Sequence, residues 1–167
     1  MRLTNTLLLT ALLAVAMLTG CSGSKASSDN TTSAPAPVVW QAESVPILGK
    51  IGGINLDLTD YSLDVLEAAA IDELQLAPRF AEQGVVLDLD QHSVILFSLG
   101  EQPTAGYAAD ILALQLKGSE LYVQGTAAAP KPDTAVAQQL TTPFCAVAVP
   151  KLPGNLTVRS DITSLVE

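Results

Sequence analysis

The chain has 167 residues, of which 8 are Lys or Arg and 17 are Asp or Glu, a formal net charge of −9 at pH 7. That acidic excess is scattered, reads as a solubilising surface, and excludes nucleic acid as a partner because like charges repel. Chemistry-bearing residues are few: there are 2 Cys and 1 His, and no Walker A loop, GxSxG elbow, HExxH motif or CxxC pair occurs.

Residues 1–20 read as an export signal. Arg2 precedes an apolar run, Leu7 to Leu18 (LLLTALLAVAML). The run is too short for a bilayer span, which needs about 20 residues, but it suits a signal-peptide core. It ends in Leu18-Thr19-Gly20-Cys21, which resembles the lipobox of bacterial lipoproteins. The resemblance implies cleavage before Cys21, lipidation of that thiol and a membrane anchor. Two or three acyl chains hold firmly where one binds at only about 10⁴ M⁻¹. Ser22, where Asp would signal inner-membrane retention, implies the outer membrane by analogy with Gram-negative sorting. Residues 21–37 are rich in Ser, Thr, Ala and Pro and read as a flexible tether.

Residues 38–167 are expected to form a single domain, long enough to bury about two-thirds of its unfolded surface without disulfides. With Cys21 lipidated, Cys145 is the only remaining thiol.

Two strands are predicted first, Val38–Ala42 (VVWQA) and Ile54–Leu58 (INLDL), with the Gly-rich stretch GKIGG (49–53) between them. Trp40, the only tryptophan, is expected to anchor the first strand, with ligand stacking as the alternative. Leu63, Leu66, Ala70 and Leu74 then recur at helical spacing. They predict one helix over about 60–76, capped by Asp60 or Ser62 and ended by Pro78.

Next, Gly84–Leu89 and Val94–Leu99 read as a hairpin across Asp90–Ser93. Tyr107–Leu116 and Glu120–Ala127 pair across the tight turn Lys117–Ser119. In Tyr107–Leu116 the face bearing Leu112, Leu114 and Leu116 is expected to be the core side. Pro130–Asp133 breaks the ladder, because Pro lacks the N–H that a central strand donates. Phe144–Pro150 and Leu156–Ser160 complete the set across Pro153, Gly154 and Asn155. Short strands at intervals of about ten residues predict a mainly β fold, an antiparallel β-sandwich or small barrel with one helix. The alternative is an α+β arrangement.

Asp88, Asp90 and His92 share one face if the chain there is extended, and would suit a transition metal. A turn at Asp90–Ser93 disperses them, and that is the expectation. Cys145 lies mid-strand on the same face as Val147 and Val149, so it reads as a small buried hydrophobe rather than a nucleophile. No catalytic residue, metal or cofactor is expected, and the chain reads as a non-enzyme.

The stretch 98–107, SLGEQPTAGY, is too elaborate for a plain hairpin turn. Pro103 fixes its own φ and biases Gln102 towards extended backbone, while Gly106 is free to take φ > 0. Tyr107 offers an aromatic anchor of the kind enriched at binding hot spots. Gly100, Glu101, Gln102, Pro103, Thr104, Gly106 and Tyr107 therefore form a candidate protein-contact loop. The competing reading is that Gly106 makes the bend and Tyr107 packs beneath it.

This turn, with Thr142, Pro143, Pro150 and Lys151 further on, resembles the PrcB C-terminal domain family. The likeness is clearest over residues 85–152. Ala105 departs from the family pattern, where Gly is common, and Leu89 replaces a Phe after Asp88. The resemblance implies a non-catalytic lipoprotein that binds and supports a partner, a secreted protease in the complex for which the family is named. PTAGY (103–107) is also similar to a loop of chagasin-type cysteine-protease inhibitors. Inhibition by the 100–107 loop is therefore the alternative, although GKIGG is a loose match to a second inhibitory loop and no Arg-Pro-Trp occurs. A third possibility is a small-ligand binder or an enzyme of unknown type using His92, Cys145 or the acids.

Overall fold

The computed structural model describes residues 42–166. Cys21, the export signal, the tether, Trp40 and nearly all of the first expected strand lie outside the described residues.

In chain order the elements are β1 (Glu43–Ser44), β2 (Gly49–Gly53), β3 (Tyr61–Leu66), α1 (Ala68–Glu73), α2 (Leu76–Glu82), β4 (His92–Leu99), β5 (Ala108–Lys117), β6 (Glu120–Ala129), β7 (Phe144–Pro150) and β8 (Thr157–Val166). Two four-stranded sheets form a sandwich, in the orders β1-β5-β6-β8 and β2-β7-β4-β3, and neither closes into a barrel.

Apolar composition explains the layering. In β4 and β7 the sequences VILF and FCAVAV are continuously apolar, so both faces of these strands demand burial. Ile95, Phe97, Cys145, Val147 and Val149 point between the sheets and meet Ile111, Leu114, Leu121 and Val123 of β5 and β6. Val94, Leu96, Phe144, Ala146 and Ala148 point the other way and are covered by Ile71, Leu76 and Phe80 of the two helices. The molecule is thus three layers deep, with β4 and β7 in the middle layer.

One pairing is parallel. β8 runs alongside β6 from Glu120 opposite Thr157 to Ala129 opposite Val166. The chain leaves β6, crosses to the other sheet as β7 and crosses back, and β8 runs in the direction of β6. The expected mainly antiparallel sandwich carries this one parallel pairing at its edge.

The predicted helix over 60–76 is also corrected. Tyr61–Leu66 is an edge strand paired with β4, in register from Tyr61 opposite Leu99 to Leu66 opposite Val94. Its residues alternate: Leu63 and Val65 pack on the inter-sheet core, and Leu66 on the helix side. The free edge of β4 outweighed the helical spacing, as tertiary context often overrides periodicity. Helix begins only after Glu67, and neither Asp60 nor Ser62 caps it. Pro78 does not end a helix but sits in the first turn of α2, where its missing N–H has no intrahelical acceptor to lose.

The expected strand Ile54–Leu58 is irregular, and the Gly-rich GKIGG is itself the strand β2, paired along its length with β7. Small residues suit that edge. A Cβ on Gly49 would fall 2.5 Å from Val85 Cγ2, and one on Gly53 would fall 3.1 Å from Phe144 Cε1. The expected strand Gly84–Leu89 keeps its alternation, with Val85, Leu87 and Leu89 turned towards the helix-side core. It gains no strand partner, because His92 N–H and Gln91 N–H both close a turn onto the Asp88 carbonyl, at 2.7 and 3.0 Å.

In β5 the register against β6 shifts between Ile111 and Ala113. This bulge turns Leu112 outwards and makes Ile111, Leu114 and Leu116 the core residues, so only part of the expected Leu face is buried.

Phe97 is fully buried in the inter-sheet layer, whereas Val86 is 80% exposed. Phe97→Ala is expected to cost about 3–5 kcal/mol in urea unfolding, and Val86→Ala less than about 0.5 kcal/mol.

Candidate functional site

The stretch 100–107 leaves the end of β4 and enters β5, and three neighbouring segments hold it. Glu101 N–H donates to the Thr59 carbonyl (3.0 Å) and Ala105 N–H to that of Ala137 (3.0 Å). Gln102 and Thr141 exchange both backbone hydrogen bonds, at 2.7 and 3.0 Å. The Thr141 hydroxyl, itself buried, donates to the Thr104 carbonyl at 3.0 Å. Within the turn, Gln102 Nε2 donates to the Leu99 carbonyl (2.9 Å), and Gly100 N–H donates to Ser98 Oγ (3.1 Å).

Two glycines make this route passable. Gly100 has φ +69°, and a Cβ there would lie 2.7 Å from the Thr59 carbonyl oxygen and 2.8 Å from the Asp60 carbonyl carbon. Backbone atoms cannot step aside as a flexible side chain can. Gly106 has φ +94°, with a hypothetical Cβ 3.0 Å from Pro130 Cβ and 3.2 Å from Val136 Cγ1. The turn is therefore a built part of the fold. Glu101 and Pro103 are exposed on it, while Gln102, Thr104 and Tyr107 are half-buried.

The surroundings add residues that the sequence reading did not single out. The segment anchoring Glu101 carries Tyr61, which is 58% exposed and stands edge-on to Phe97 with ring centroids 5.7 Å apart. The segment exchanging bonds with Gln102 carries Leu140, 64% exposed. Ile54, 38% exposed, is tied to that segment by Thr142 N–H donating to its carbonyl at 2.7 Å. The straps at Thr59 and Thr141 thus each carry a large exposed apolar side chain, Tyr61 and Leu140. Periodicity could not show this, because residues 54, 61 and 140 come to one end of the sandwich only through the strand pairings.

The other motif residues are ties. Thr142 Oγ1 accepts from Leu56 N–H (2.7 Å), and the Pro143 carbonyl accepts from Leu99 N–H (3.0 Å). Lys151 donates through its backbone N–H to the Gln91 carbonyl (2.7 Å) and through Nζ to that of Leu89.

Asp88, Asp90 and His92 are not presented together to a ligand. His92 Nδ1 accepts from Asp88 N–H (3.0 Å), and Asp88 Oδ1 accepts from Asp90 N–H (3.0 Å). Among the described residues no group of three or more His, Cys, Asp or Glu side chains is arranged to hold a metal ion. GKIGG is a paired strand rather than a free loop, so it does not stand as a second inhibitory loop beside the turn.

Cys145 is 2% exposed. Burial pushes its thiol up to about 11, outweighing the opposing pull of the Ile111 backbone. The neutral thiol faces a carboxylate, with Sγ 3.6 Å from Asp110 Oδ1. Lys50 Nζ holds the same oxygen at 2.8 Å and also donates to the Ile111 carbonyl at 2.6 Å, beside the bulge of β5. This group links the sheets, and it gives Cys145 neither the exposure nor the thiolate character that a nucleophile needs.

A raised thiol pKa stabilises the fold below the ordinary thiol range and loses that contribution as pH rises through about 11. Denaturation measured from pH 8 to 11.5 should show the wild-type chain losing stability above about pH 9, with a shallower loss for Cys145→Ala. Parallel curves would remove the thiol as the cause.

No curated protein and no solved structure matches the chain. Residues 93–150 match the family model described as PrcB C-terminal. The match runs from the start of β4 to the end of β7, so it takes in two strands of each sheet and the whole stapled turn. Over this segment the chain is similar to the PrcB C-terminal family.

Proposed function

We propose that the chain is a non-catalytic, lipid-anchored protein of the bacterial envelope, held at the outer membrane through Cys21. In this reading it docks on and supports a partner protein through the end of the sandwich that carries residues 100–107. The family match supports the class, a subunit of a protease complex. A secreted or envelope protease is accordingly the first partner to test.

The observation that carries the docking surface is a set of exposed apolar side chains on segments tied to a stiff turn. Tyr61 and Leu140 lie on the straps that hold Glu101 and Gln102, and Ile54 is tied to the second of these by Thr142. A turn already fixed by hydrogen bonds loses little conformational entropy on binding. Aromatic and apolar anchors beside it are the residue types that dominate interface energetics. Pro103 and Glu101 complete the exposed surface.

The test is capture of partners by the full chain from solubilised envelope, read by mass spectrometry. A Tyr61→Ser, Leu140→Asp variant, shown to be folded by circular dichroism, runs beside it. The captured partner should bind the variant at least tenfold more weakly. A partner retained at full strength would move the docking surface elsewhere on the molecule.

A further inference from the structure

At the opposite end of the sheet from the turn, one flank of the sandwich is open. A cleft of about 700 Å³ lies there, where β3 of one sheet adjoins β8 of the other. Its walls come from β3, the start of α1, the turn before β4 and the chain between β7 and β8. Val65, Leu66, Leu152 and Leu156 give it apolar lining.

Backbone geometry makes this flank sticky. β3 is the last strand of its sheet and β8 the last of the other, so among the described residues neither outer edge has a strand partner. Unpaired N–H and C=O groups on such an edge are a template for a further strand, one of the recurrent modes of peptide recognition. A strand laid there sits about 4.8 Å from its neighbour and sends alternate side chains to opposite faces, so every second one enters the cleft.

Charge selects what kind of strand. Asp64, Glu67 and Asp90 line the cleft against a single ammonium, that of Lys151, which already donates to the Leu89 carbonyl. The His92 ring is likewise engaged through Nδ1. Three carboxylates therefore face the opening without a basic side chain of the described residues bonded to them. A second copy of this chain, with its net charge of −9, is a poor electrostatic match for such a rim.

We propose that this cleft receives an extended segment of a partner polypeptide, with basic side chains alternating with apolar ones, laid as an added strand along the outer edge of β3. The site is separate from the turn around Gly100, and its partner segment need not belong to the protein that the turn contacts.

The probe is a fluorescent eight-residue peptide of alternating Val and Lys, titrated against the full chain by anisotropy at physiological salt. A Val/Glu peptide and a Val/Lys peptide methylated at alternate backbone nitrogens serve as controls, so the test does not depend on any variant folding. Saturable binding is expected for the Val/Lys peptide, at least tenfold weaker for each control. An Asp64→Lys, Glu67→Lys chain should lose binding by a similar factor. Glu82→Lys, an exposed change on α2 outside the cleft, should leave it unchanged. Equal binding of the Val/Glu peptide, indifference to backbone methylation, no binding, or dimerisation of the chain that Asp64→Lys abolishes would each overturn the proposal.

Discussion

Pairing between β4 and β7, in register from His92 opposite Pro150 to Ser98 opposite Phe144, places two strands with apolar layers on both faces at the middle of the molecule. Their side chains are needed on one face for the sandwich and on the other for the helices. Ser93 and Ser98 are the buried polar residues they carry, and each is used, accepting from Leu152 N–H and Gly100 N–H respectively. Strands this apolar have little to offer water, so the polar ties that fix their position gather at their ends.

At one end lie Thr141, Thr142 and Pro143 with the Gly100–Tyr107 turn, and at the other Lys151 with the Asp88–Gln91 turn. The motif positions by which the segment resembles the PrcB C-terminal family fall largely on these ties. Gly100 permits a close backbone approach, Thr142 and Lys151 hold incoming loops, and the Pro143 carbonyl receives Leu99. Such residues preserve a shape. The proposed docking surface is a by-product of that shape, because the straps that staple the turn also lift Tyr61 and Leu140 into solvent.

Strands whose burial demand is written locally were legible in the sequence. The apolar runs of β4 and β7 and the turn at Gly118 between β5 and β6 needed no partner information to be recognised. Elements whose state depends on a distant neighbour were not. Tyr61–Leu66 has spacing compatible with a helix and becomes a strand because β4 has an edge to fill. GKIGG resembles a turn and becomes β2 because its glycines let Val85 and Phe144 come close. Gly84–Leu89 has the alternation of a strand and no ladder to join. The same logic governs the candidate site: the turn and its glycines were visible locally, while Tyr61, Ile54 and Leu140 are assembled around it by pairing. The bulge at Leu112 likewise left no local signal that the alternating face would switch.

Residues 100–107 form a fixed surface built into the fold. Amide hydrogen exchange in the free chain tests it most directly. The amides of Glu101, Gln102 and Ala105, each bonded to a different strap, should exchange as slowly as the turn's flanking strands and much more slowly than the exposed stretch 131–135. Exchange of all three as fast as in 131–135 would mean that the turn is not held in the free protein. The docking surface would then not be pre-formed.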